Sequence, residues 1–220
     1  MNLPTMKQIK KYPLGYFVIA LNVILFFILS TFTQGLSNNN TIYTALTLNS
    51  LENPTSLILN YFMHGGILHL AMNMFFVYQV AKMFENIYTR KEQIYIYFGF
   101  GLAISLICFV WMFVAEINLT VIGYSGVCFA LLGSILKYMD KKSLKINLGF
   151  ILVFHIIIIA LGLPVFWQGH LVGLLLGFGY SHFRVLKTLK KATLSNDDFD
   201  EFFSNDRKKD LNETHSPRKH

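Results

Sequence analysis

The run VIGYSGVCFALLGSILKY, residues 121–138, is apolar over most of its length and stops at Lys137, with Lys141, Lys142 and Lys145 close behind. It approaches the ~20 residues that a helix needs to cross a hydrocarbon core. Its other end is different in kind: Gly123-Tyr124-Ser125-Gly126 sets a hydroxyl among glycines just inside the apolar stretch. Polar groups inside such a segment tend to face the bundle interior or a water-filled cavity, and they are functional candidates by default.

Working outward, five further segments have the same character, at 14–32, 66–86, 94–115, 146–163 and 168–186. The composition agrees. Of 220 residues, 54% are hydrophobic and only 14% charged, where a soluble domain carries ~25% charge. The reading is an all-α polytopic membrane protein with six transmembrane helices. The formal charge of +7 does not point to nucleic acid, because the lysines and arginines fall at the ends of apolar runs and in the tail. Cys108 and Cys128 both lie inside apolar segments, so packing rather than a disulfide is expected for each. No small-residue cleavage site follows Lys7, Lys10 and Lys11, so the first apolar run reads as a span, not a signal peptide.

The connecting segments alternate in charge. Lys7, Lys10 and Lys11 precede the first span; 33–63 has no Lys or Arg; then come Lys82, Arg90 and Lys91; 116–120 has none; Lys137, Lys141, Lys142 and Lys145 follow; the turn at Pro164 is bare; Arg184, Lys187, Lys190 and Lys191 come last. The positive-inside rule puts both termini in the cytoplasm. The chain therefore divides into a cytoplasmic N-terminus (1–13), a six-helix membrane domain (14–186) and a polar cytoplasmic tail (187–220) with the composition of a disordered segment.

With that orientation the second, fourth and sixth helices run inward in parallel, and each has polar groups near its outer start. His69 lies 13 residues before Lys82, Ser125 12 before Lys137, and His170 14 before Arg184. At 1.5 Å per residue all three sit roughly 18–21 Å above the inner charge boundary. Asn73 lies one turn deeper on the face of His69. The fourth helix carries Gly126, Ala130 and Ser134 at a spacing of four, and the sixth carries Gly169, Gly173 and Gly177 at the same spacing. Two such stripes permit close backbone approach, which makes a Ser125–His170 hydrogen bond feasible.

The chemistry open to that pair is nucleophilic. A serine hydroxyl attacks once a neighbouring base takes its proton, and His170 is the natural base. Ser125 lies near a helix N-terminus, where free backbone N–H groups suit an oxyanion, and His69 and Asn73 can add side-chain donors. The nearest exterior carboxylates, Glu52 and Glu116, are in loops, so a Ser–His dyad without an acidic third member is expected.

Together these residues resemble the rhomboid signature. His64, His69 and Asn73 match its histidine, histidine and asparagine; Gly123, Ser125 and Gly126 match its Gly-x-Ser-Gly; His170, Gly173 and Gly177 match its last motif; Glu85 fits a glutamate common at the inner end of the second helix. The resemblance spans about 60–180. It implies an intramembrane serine protease with Ser125 as nucleophile, His170 as general base, and His69, Asn73 and the Ser125 N–H at the oxyanion. His64 is then a structural or oxyanion-site neighbour. It also implies substrates that are single-pass membrane proteins, cut near the outer boundary, and no metal or other cofactor. A compact six-helix core of this kind suits a bacterial plasma membrane, with the active site opening to the exterior. Two departures stand out. The segment 33–63 lacks the Trp-Arg pair of many bacterial members, and Phe129 replaces a tyrosine that packs on the histidine.

Singly, each residue has an ordinary explanation in helix packing. His155 reads as structural and His182 as reaching the inner interface. A zinc helix is not indicated, since His64 and His69 are five apart and no His-Glu-x-x-His occurs. A transporter lacks its paired broken helices here. An inactive rhomboid relative that binds membrane proteins is the other alternative, although such relatives usually lose the serine or the histidine.

Overall fold

The computed structural model describes residues 13–32, 56–116, 120–160 and 166–188. The chain divides into two compact units, Met1–Gly179 and Tyr180–His220. Within the first, the helices are α1 (Pro13–Phe32), α2 (Ser56–Leu59), α3 (Ile67–Ile87), α4 (Arg90–Ile94), α5 (Phe100–Val114), α6 (Ser125–Ile135) and α7 (Lys141–Ala160). Residues 167–179 form α8. A 3₁₀ turn, Asn60–Phe62, follows α2, and a π-helical segment, Tyr95–Gly99, joins α4 to α5. In the second unit, 180–188 is helical and His182 is exposed. The side chain of His155, residues 1–12 and the tail from 189 lie outside the described residues.

Among the described residues, three helices are long and apolar enough to cross a membrane: Leu14–Thr31, Ile67–Ile87 and Arg90–Val114. The helix Ser125–Tyr138 is apolar but shorter. Helices α7 and α8 stand where the fifth and sixth spans are expected.

Helix faces follow the 3.6-residue period. On α1, Val18, Asn22 and Phe26 are buried while Phe17, Ile24 and Phe27 are more than half exposed. On α5, Ile104, Cys108 and Met112 turn inward while Leu106, Val110 and Phe113 turn out. Both faces are apolar, so the outward face suits hydrocarbon and association rests on close packing rather than on escape from water. Small residues supply it: a Cβ on Gly15 of α1 would come within 2.8 Å of the Ala81 side chain on α3. Every residue of α6 from Val127 to Ile135 except Phe129 is buried. A helix enclosed on all sides belongs at the centre of its bundle.

Helix starts depart from the expected boundaries in two informative places. The third span begins at Arg90 rather than 94. Thr89 caps it: the Glu92 N–H bonds the Thr89 hydroxyl while the Thr89 N–H donates to the Glu92 carboxylate at 2.7 Å, a reciprocal capping box. The fifth begins at Lys141 rather than 146, because Asp140 accepts from the Lys142 and Ser143 N–H groups at 2.8 and 2.9 Å. Those bonds, the Ser143 N–H first, hold the Asp140 carboxyl below the usual carboxylate range. Between α3 and α4, Glu85 pairs with Arg90 at 2.9 Å, and the Tyr88 hydroxyl donates to the Ser134 carbonyl at 2.6 Å, tying this turn to α6.

Candidate functional site

The fourth apolar run was expected to be helical from 121, yet α6 starts at Ser125. Gly123 has φ +107°, in a region that residues with a Cβ rarely enter. The His69 ring also lies against it, within 2.5 Å of where a Cβ would stand. The chain turns there and enters the helix with Tyr124 as N-cap. Ser125 is thus the first helical residue, and its N–H is among those without an intrahelical acceptor.

Across from it, His170 of α8 brings Nε2 to 2.9 Å from the Ser125 Oγ. With the imidazole proton on Nδ1, the hydroxyl donates to Nε2. The ring is stacked on Phe129, one turn along α6, with centroids 4.4 Å apart and planes 6° apart. That contact fixes the plane of the imidazole. Beyond it opens an apolar cavity of about 350 Å³, bounded by Phe129, by Leu148 and Leu152 of α7 and by Trp167 and Leu171 of α8.

Glycines set the approach of the two helices. A Cβ on Gly173 would run into the carbonyl oxygen of Gly126, and one on Gly177 into that of Ala130, with the Ser134 nitrogen 2.8 Å away. Gly126 in turn faces the Gly169 carbonyl, at 3.6 Å from a would-be Cβ. Gly133, which the spacing did not single out, presses on the Leu174 carbonyl in the same manner.

Helix α3 supplies the third side. Asn73 is buried, and Cys128 of α6 approaches it, with Sγ 3.6 Å from its carbonyl oxygen and 3.9 Å from Oδ1. Its Nδ2 donors have no hydrogen-bond partner. A buried amide with free donors is costly unless something fills the position. His69 accepts from the Gly65 N–H at Nδ1, at 3.4 Å, which leaves the proton of its neutral ring on Nε2. His64, buried, bonds the Phe62 carbonyl through Nδ1 at 3.0 Å and sets its ring edge-on to His69 at 5.2 Å. His170 thus meets Ser125, His69 lies against Gly123, and Asn73, the seventh residue of α3, lies against Cys128.

A family model for the rhomboid domain matches residues 52–187. This chain belongs to the rhomboid family. No curated protein matches it. The rhomboid match and the apolar helices together make it an integral membrane protein.

Some residues that build this rhomboid's site escaped sequence reasoning. The Asn60 carbonyl accepts the Gly123 N–H at 2.9 Å, and its side chain exchanges hydrogen bonds with Ser105 of α5 at 2.9 and 3.2 Å. Ser105, a hydroxyl in the middle of the third apolar run, was the available signal, whereas Asn60 fell in the segment read as a connection. Tyr124, fully buried, donates its hydroxyl to the Tyr97 carbonyl at 2.8 Å.

Proposed function

We propose that this rhomboid is an active intramembrane serine protease, hydrolysing peptide bonds in or near transmembrane segments of single-pass membrane proteins with Ser125 and His170 as its dyad. The observation that carries the reading is the 2.9 Å approach of His170 Nε2 to Ser125 Oγ at the N-terminus of α6. Geometry of that kind is what an activated serine needs.

The chemistry runs in two halves. Ser125 Oγ attacks the scissile carbonyl carbon as its proton passes to His170 Nε2. The carbonyl oxygen becomes an oxyanion, met by the Ser125 N–H, the free Asn73 Nδ2 donors and the His69 Nε2–H. Donors already aimed at developing charge are worth most in a water-poor site. Collapse breaks the C–N bond, and the leaving amine takes the proton from His170. A water molecule from the exterior then attacks the ester, giving one proton to His170, and the Ser125 hydroxyl is restored.

On this reading the chain spans the bilayer six times with both termini in the cytoplasm and the site open to the exterior, the topology supported by its alternating lysine clusters. The setting is a bacterial plasma membrane. The substrate is another membrane protein presented from within the bilayer.

The test is labelling of detergent-purified protein with a fluorophosphonate serine probe, beside Ser125→Ala and His170→Ala. Labelling of the wild type that is lost in both variants is the expected result. Folded wild-type protein that never labels would refute proteolysis and favour a rhomboid relative that only binds membrane proteins.

A further inference from the structure

The peptide plane between Tyr124 and Ser125 carries the N–H that the proposed mechanism aims at the oxyanion, so whatever fixes that plane fixes the donor. Three ties hold it. The Gly123 N–H is bonded to the Asn60 carbonyl at 2.9 Å just upstream, and the Tyr124 carbonyl accepts from the Cys128 N–H at 3.0 Å. The third is the Tyr124 side chain, which packs in the core against the adjoining rings of Tyr61 and Phe62, 6.3 and 6.4 Å from them, and ends in a 2.8 Å hydrogen bond to the Tyr97 carbonyl.

Tyr97 lies within the π-helical segment Tyr95–Gly99. Such segments are rare, and they occur disproportionately at functional sites. Tyr124 is 0% exposed and sits one residue from the nucleophile. If bulk alone were wanted there, phenylalanine would fill the space without a hydroxyl that must find a partner in the interior.

We infer that Tyr124 is a positioning residue: its hydroxyl, held by the π-segment carbonyl of Tyr97, sets the Tyr124–Ser125 peptide plane and so aims the Ser125 N–H. The inference rests on the protease reading above. Tyr124 touches neither substrate nor the reacting atoms, and acts through Ser125.

The test is Tyr124→Phe in the full chain, reconstituted in liposomes with a fluorogenic transmembrane peptide. Loss of aim in a donor lowers kcat and leaves substrate binding alone, so kcat falls by about tenfold with KM within about twofold. The pH dependence of kcat keeps its midpoint, because His170 is not moved. A merely structural tyrosine would lower the melting temperature while kcat, measured well below it, stays at the wild-type value, and that result would overturn the inference. Two further variants cover the case in which Tyr124→Phe does not fold. Tyr124→4-aminophenylalanine keeps a donor of similar size, and Tyr124→4-methylphenylalanine keeps the size without the donor. The first is expected near wild type and the second near the Tyr124→Phe value; equal kcat in the two refutes the role. Wild-type protein that neither cleaves nor labels refutes the protease reading itself, whereas an active wild type with an indifferent Tyr124→Phe refutes only the part given to Tyr124.

Discussion

Adding a single methyl group at Gly173 is the sharpest perturbation of the Ser125–His170 pair. A Cβ there lands on the Gly126 carbonyl oxygen and 3.2 Å from the Ala130 nitrogen. Both neighbours are helix backbone and cannot rotate aside. Helix α8 must back away by about 1 Å to bring nonbonded atoms toward the ~3.5 Å at which they attract. His170 lies less than one turn from Gly173, so the shift reaches it nearly undiminished. Its 2.9 Å approach to Ser125 then stretches to about 3.9 Å, beyond hydrogen-bond range. A misplacement of 1 Å costs on the order of 10²-fold in rate, and overpacking of this kind costs about 1–3 kcal/mol of stability. Gly173→Ala should therefore lose about 10²-fold in the rate of fluorophosphonate labelling, with a lowered melting temperature in detergent. Gly149→Ala on α7, where a Cβ meets nothing within 4 Å, is the matched control. Labelling of Gly173→Ala at the rate of this control would show that the glycine seam does not set the dyad distance.

Three more outcomes follow from the same structure. Asn73→Ala removes the unpartnered Nδ2 donors and should lower kcat by about 10²–10³-fold with the fold intact, as loss of one oxyanion donor does; unaltered kcat would remove Asn73 from the site. Thr89→Ala breaks the capping box with Glu92 and should cost about 1 kcal/mol, read as a lower melting temperature at unchanged specific activity. Asp140 is held below its ordinary pKa by the Ser143 N–H and hydroxyl, so its contribution is present above the unfolded carboxylate value of ~3.9 and disappears as pH falls through the lower folded value. Melting temperatures of wild type and Asp140→Asn should accordingly converge on acidification below about pH 4; a constant gap down to pH 2 would contradict this.

Much of the site was legible because membranes penalise polarity. Ser125, His170, His69 and Asn73 stood out only against long apolar runs, and the lysines bounding those runs supplied a ruler for their depth. The stripes through Gly126 and Gly173 were legible too, since nothing but a small residue allows backbone to meet backbone. What the sequence hid has a physical cause. On a lipid-facing helix both faces are apolar, so Ile104, 7% exposed, and Leu106, 50% exposed, carry no mark that tells them apart. The late start of α6 depends on the positive φ of Gly123, and no residue type announces the π segment at Tyr95–Gly99. The early start of the third span was different: Thr89 and Glu92 were in plain view, three apart, as a cap.

The contact between α6 and α8 also limits how this rhomboid can vary. Where side chains meet, rotamers provide slack, and a larger residue on one helix can be answered by a smaller one on the other. At Gly173 and Gly177 the opposing surface is main chain, which no substitution can shrink, and glycine has no smaller neighbour to mutate toward. Descendants of this sequence can therefore drift freely on the outward faces, but the spacing of Ser125 and His170 is inherited from covalent backbone geometry. That distance is a property of two helices touching, and no change of side chain can bring them closer.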